Sequence, residues 1–339
     1  MDIRRAAALA IYLSVAGPTG CDNGGAVSSV PHYEPAAAGS DSEPSWVSRD
    51  TASTALLYVS DWNTNSVFIY DFATHGLLGR LTGFQAPYGQ CVDEDGHVWI
   101  SEFGVSDVVE YSHGGERPIK RLHTAGHPIG CAIDPRTGKL AVANFYAKGE
   151  SGSIQVWKNA SGDPVTYRSS RFYYLWPPAY DGDGNLFVEG QVRHGPYGIA
   201  ELPRYGAVLR TVTLKGATIR YAGGALWDGV HVGLADQDSD GTNTTVIYRT
   251  HIAGGVATVV GRTHLTDTCY GRFEDTPQPF FVRTNDGQET IVGGNLWCLR
   301  RFDYFNYTAG GNPSHLLARA PKEPFGQSVS LPVQEAPFR

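Results

Sequence analysis

Pro87-Tyr-Gly-Gln-Cys-Val-Asp-Glu-Asp-Gly-His-Val-Trp-Ile-Ser-Glu102 and Pro128-Ile-Gly-Cys-Ala-Ile-Asp-Pro-Arg-Thr-Gly-Lys-Leu-Ala-Val-Ala-Asn144 say nearly the same thing, 41 positions apart. Each holds an apolar-alternating run, an Asp, a tight turn ending in Gly, and a second apolar run. A unit of hairpin size recurring about every 40 to 50 residues cannot bury its own faces and must stack on its copies. The period and the all-strand texture point to blades of a β-propeller.

Working outward, short β-branched or aromatic runs recur as Leu57–Ser60, Val98–Ser101, Leu140–Ala143, Leu186–Glu189, Val230–Gly233 and Thr290–Gly293. The turns Asp95-Gly96, Thr137-Gly138, Asp183-Gly184 and Asp228-Gly229 introduce four of them, and Asp286-Gly287 lies just before the sixth. Such residues tolerate the positive φ of a short hairpin turn. The runs before the turns, 87–93, 128–134, 176–181, 223–227 and 279–283, supply matching inner strands. Blade one lacks its own. Pro324-Phe-Gly-Gln-Ser-Val-Ser330 copies Pro87–Val92 and is expected to close the ring, removing exposed sheet edges. The fold class is therefore all-β, a six-bladed β-propeller closed by a C-terminal strand. Seven blades are the alternative, because the stretch from Leu234 to Pro279 is longer than one blade needs.

The chain divides into 1–21, 22–54, 55–332 and 333–339. Arg4 and Arg5 precede an apolar core from Ala6 to Gly17, too short for a bilayer span and suited to an export signal. Thr19-Gly20-Cys21 resembles the end of a bacterial lipobox, with Pro18 where that family has Leu or a similar residue. Acylation of Cys21 is the expectation, with ordinary secretion as the alternative. Residues 22–54 read as a linker, rich in Gly, Ala, Ser and Pro. The last seven residues form a tail.

The Pro-x-Gly-x-x-x-Asp-x-x-Gly-x-x-Trp-x-x-Glu wording resembles the repeat of NHL-type propellers, closest to the virginiamycin B lyase-like group, with Val98–Gly104 the strongest match. That lyase resembles a metal-assisted enzyme with Glu-x-His in its later blades, whereas here they offer Glu189-Gly-Gln191 and Val230-His-Val232. Gluconolactonase-type six-bladed enzymes are a second comparison; they hold a divalent ion near the channel with Glu, Asn and Asp. Superposing the second strands puts Asp61, Glu102 and Asn144 at one position, with Gly190, Leu234 and Gly294 in the other three blades.

Asp61, Glu102 and Asn144 are hard oxygen donors at the expected channel mouth, suitable for Ca²⁺ or another divalent ion. The plainer reading is that each caps its own turn. Trp62, Phe103 and Phe145 follow at one shared position and form either an aromatic ligand-binding rim or packing between blades. Asp236, Asp238 and Asp240, followed by Gly241, have the alternating carboxylates of a structural Ca²⁺ loop. Ile247 at the twelfth position excludes an EF-hand. The residues require neither ion. His194 and His231 are the histidines to consider for acid-base work. No nucleophile elbow, zinc-protease motif or P-loop is present.

Cys91 and Cys131 lie on neighbouring inner strands one position out of step, and are expected to be buried thiols facing opposite sides. Cys269 and Cys298 are the expected disulfide of an exported protein, closing a loop of about 30 residues at roughly 3–4 kcal/mol. The net charge of −7 without a basic run excludes nucleic-acid binding through a basic face. The functional expectation is a monomeric, extracytoplasmic binding module for a protein, glycan or small molecule at one face of the ring. Contact with the membrane is then through an N-terminal lipid anchor alone. A metal-dependent lyase or lactonase is the alternative, and a cell-envelope scaffold the second alternative.

Overall fold

Alternation of apolar residues along the second strands decides where everything else goes. In Leu56–Asp61, Leu56 and Tyr58 pack against Val98, Ile100, Val109 and Tyr111 of the next repeat. Leu57 and Val59 point the other way, toward Val292 and Val329. Period-two alternation thus buries both faces of one sheet, each against a different neighbour. The same holds one repeat on, where Trp99 and Val108 meet Leu140, Val142 and Trp157. Each fully buried Leu, Val or Ile contributes about 1.5–3 kcal/mol. The hydrophobic core is therefore a set of seams between sheets.

The structure, a computed structural model, describes residues 43–147, 151–193, 195–237, 239, 245–266, 280–283, 289–295, 301–312, 315–316 and 324–332. Their strands form six antiparallel meanders. The second meander runs Pro87–Val92, Val98–Glu102, Asp107–Tyr111, Pro118–His123, and the third Pro128–Ile133, Leu140–Asn144, Ser153–Lys158, Ser161–Arg168. The fourth has a broken inner strand, Phe172–Leu175 and Ala179–Tyr180, then Leu186–Val192, Tyr197–Leu202 and Arg210–Lys215. The fifth is Ala222–Trp227, Val232–Asp236, Thr245–Ala253 and Val256–Leu265. Its last strand pairs in parallel with Arg210–Lys215, so these two meanders share one sheet. The described part of the over-long interval is thus a long hairpin within the fifth meander. The sixth is Phe280–Arg283, Glu289–Asn295, Arg301–Asn306 and His315–Leu316.

The first meander carries the closure. Pro324–Ser330 pairs antiparallel with Leu56–Asp61, which continues to Ser66–Asp71 and Leu77–Leu81. The all-β propeller expectation and its closing C-terminal strand hold. The four turn glycines, Gly96, Gly138, Gly184 and Gly229, sit at φ between +65° and +93°.

Three expectations need correction. Trp46–Val47, inside the stretch read as linker, pairs with Gly79 and Arg80 as an outer edge strand. Two residues are too few to show a period. The fifth second strand begins at Val232 rather than Val230, which is 69 % exposed in its turn. There Asp228 accepts the amides of Val230 and His231, so both residues belong to the turn.

The third concerns the cysteines. Cys91 and Cys131 form a disulfide, with Cα atoms 5.4 Å apart. Within one sheet, facing opposite sides would separate them. Between stacked sheets it is the requirement, because the facing surfaces of neighbours are opposite faces of each. Cys269, Cys298, Cys21 and residues 333–339 lie outside the described residues.

Candidate functional site

Pairing register gives the site its frame. Asp61 lies opposite Pro324, Glu102 opposite Pro87, and Asn144 opposite Pro128, so each ends its second strand at the first residue of its inner strand. Asp236 lies opposite Ala222 in the same way. The fifth meander therefore places Asp236 at this position, two residues after Leu234. A shifted strand start hid it from superposition of the runs.

All four are buried, and each is tied to nearby chain. Asp61 accepts the amide of Asn63 at 3.0 Å and the Thr64 hydroxyl at 2.9 Å, capping its own turn. Glu102 accepts the Gln85 amide at 3.0 Å and a hydrogen bond from Arg121, which also reaches Asp107 at 2.8 Å. Burial pushes the Glu102 carboxyl above its usual range, with the Arg121 guanidinium pulling it back. Asn144 donates to Ser153 and Gln155 at 3.2 and 3.0 Å. Asp236 accepts the amides of Arg220 and Tyr221. Glu102 and Asp236 thus do the same work, holding the loop that enters the inner strand. Asp238, Asp240 and His194 lie outside the described residues, while His231 Nδ1 lies 3.5 Å from Asp228.

Above these polar residues runs a chain of touching rings. Trp62 meets Phe325, Tyr88 and Phe103 with centroids 5.3–5.9 Å apart. Phe103 continues to His127 at 4.8 Å, His127 to Tyr146 at 4.7 Å, and Tyr146 to Phe145 at 5.8 Å. Phe145 stacks on Tyr174 at 4.4 Å and meets Trp176, which reaches Tyr197 and Tyr221. Phe103 and Phe145 are buried beneath, whereas Trp62, Tyr88, His127, Tyr146, Tyr174, Tyr197 and Tyr221 are half-buried. Packing between blades and an aromatic rim are therefore the same structure at two depths. Sequence superposition found three of these rings. Tyr88 and Phe325 share the second place of Pro-x-Gly, a signal that was readable. Tyr197 and Tyr221 follow no repeat.

Among the described residues one trio of metal-capable side chains comes together, Asp93, His97 and Glu110, at the opposite ends of the strands. His97 Nδ1 is 2.8 Å from Glu110 Oε1, Lys120 is 3.4 Å from Glu110 Oε2, and Asp93 Oδ1 accepts two turn amides. That is a closed network of its own.

No family model matches the chain. No curated protein matches it in sequence. Solved structures do match it in shape. A chain of a nidogen/laminin complex superposes with TM-score 0.60 at 13% identity, covering 82% of this chain and 99% of that one. A functionally unknown protein from Desulfotomaculum acetoxidans gives 0.56 at 12% identity over the same shares. A chain of the Kuenenia stuttgartiensis hydrazine synthase gives 0.52 at 16%, covering 77% and 78%. At these identities the likeness carries the propeller-like fold alone. The NHL-type and lyase-like resemblance rests on repeat wording.

Proposed function

We propose that this chain is an extracytoplasmic binding module that presents the aromatic belt around one mouth of the propeller to a protein, glycan or small molecule. The observation that carries it is the belt itself: half-buried rings from Trp62 to Tyr221, continuous across successive meanders and seated on buried rings. Rigid aromatic side chains with one exposed face supply contact area at small entropic cost and dominate many interfaces. Asp61, Glu102 and Asn144 are buried and directly precede Trp62, Phe103 and Phe145 in the chain. The Cys91–Cys131 disulfide supports a location outside the cytoplasm, where such bonds persist. Lipid anchoring through Cys21 is part of the same reading. One fold neighbour belongs to a nidogen/laminin complex, which favours a protein ligand.

The test is direct binding by the purified chain to arrayed glycans and extracellular proteins, read also by intrinsic tryptophan fluorescence. Trp62→Ala and Tyr146→Ala should each weaken any ligand found at least tenfold, while Tyr205→Ala, on an 89 % exposed residue away from the belt, should not. A ligand indifferent to both belt substitutions, or chelator-sensitive turnover of a lactone, would overturn the reading.

A further inference from the structure

Glu189, on Leu186–Val192, is fully buried. Its Oε2 accepts the amides of Gly224 at 2.7 Å and Gly223 at 3.2 Å, both on the inner strand of the next meander. Its Oε1 has no partner among the described residues. Gln237 follows the second strand of that next meander and is 3 % exposed. Its Nε2 donates to the Ala222 carbonyl at 2.7 Å, and its Oε1 likewise has no partner among the described residues. The Gly223 amide thus reaches Glu189 while its Cα lies against Gln237: a Cβ there would come 3.1 Å from Gln237 Cγ and 2.8 Å from Ala235 Cβ, so the bare Cα keeps room beside Gln237.

A carboxylate oxygen and an amide carbonyl oxygen accept and do not donate. Leaving each without a partner carries the cost of desolvating it for no hydrogen bond in return. A bridging water would satisfy the lone pairs but not the charge; a cation satisfies both. Hard oxygens with no nitrogen or sulfur donor among them suit calcium-type ions.

We infer that Glu189 Oε1 and Gln237 Oε1 are protein ligands of a hard divalent cation of the calcium type, held in the seam between the fourth and fifth meanders. Backbone carbonyls and water complete its shell. The ion pins this seam as the disulfide pins the seam between the second and third. It also moves the calcium expectation one residue along, because the described carboxylate of Asp236 is engaged by the Arg220 and Tyr221 amides.

Chelator-stripped chain should bind one Ca²⁺ by calorimetry and melt at higher temperature with it. Glu189→Gln and Gln237→Leu should each weaken calcium binding at least tenfold, and Asp238→Ala should leave it within twofold. Glu189→Gln, which removes the buried charge, should still melt cooperatively without calcium. Should that variant fail to fold, Gln237→Leu decides. Absence of both heat and melting shift would mean that the two oxygens serve water or a protonated acid, and the inference falls. It falls equally if binding survives both seam variants and disappears in Asp238→Ala.

Discussion

Two neighbouring seams use one geometry and different chemistry. The inner strands Pro324–Ser330, Pro87–Val92 and Pro128–Ile133 share a pattern in which Gln327, Gln90 and Cys131 hold the fourth place, and Ser328, Cys91 and Ala132 the fifth. Across the seam between the first and second meanders, the Ser328 hydroxyl donates to Gln90 Oε1 at 2.7 Å. Across the next seam, Cys91 is bonded to Cys131. In both, the fifth residue of one strand meets the fourth of the next. The first seam adds Gln90 Nε2 to Ser60 at 2.8 Å and His113 to Ser330 at 2.6 Å. Register decides which atoms meet, and side-chain identity decides whether the contact is covalent or a polar network.

The sharpest way to break the comparison is to remove the closing strand. Truncation before Pro324 strips Leu57 and Val59 of Val329 and leaves Leu56–Asp61 with an open edge. We expect loss of cooperative melting by calorimetry and circular dichroism. A truncated chain that melts like the full one would disprove closure by this strand.

Next in size is the covalent seam. Cys91→Ser with Cys131→Ser opens a bridge of sequence separation 40. The expected loss is roughly 4 kcal/mol in denaturant unfolding, and reduction of the native chain should reproduce it. A difference near zero would make this seam no stronger than its neighbour.

Gln90→Leu tests the polar seam. It leaves the buried hydroxyls of Ser60 and Ser328 short of a partner, at about 1–3 kcal/mol. A Gln90→Leu chain more stable than the native one would show that packing, not the network, holds this seam.

The smallest effect is the pH response of His113. Burial lowers its affinity for a proton, opposed by the Thr51 and Thr54 carbonyls. A folded pKa below the unfolded one means the stability is present above the unfolded value near 6.5 and is lost as pH falls through the folded value. Melting temperature should drop between pH 7 and 5, and His113→Gln should flatten that slope. Parallel profiles for both chains would remove His113 from the seam's stability.

The fold was legible because propeller blades repeat their instructions locally. Asp95-Gly96 and its copies need positive φ, and the alternation in Leu56–Asp61 shows a strand buried on both faces. The site was legible in part. Asp61, Glu102 and Asn144 were found by superposition, but Asp236 was masked because the apolar run begins at Val230, inside the turn, and the strand only at Val232. Glu189 escaped because its importance comes from amides 34 and 35 residues away.

By itself the sequence determined the β-propeller, its glycine turns, its closing strand and the places where the first three second strands end. Those follow from periodicity and backbone preference, which act over a few residues. Only the tertiary structure decided that Cys91 meets Cys131, that scattered rings join into one belt, and that Glu189 faces Gly223. Each of these depends on which face of one sheet opposes which face of the next. That relation is set by stacking, and no local pattern of residues encodes it.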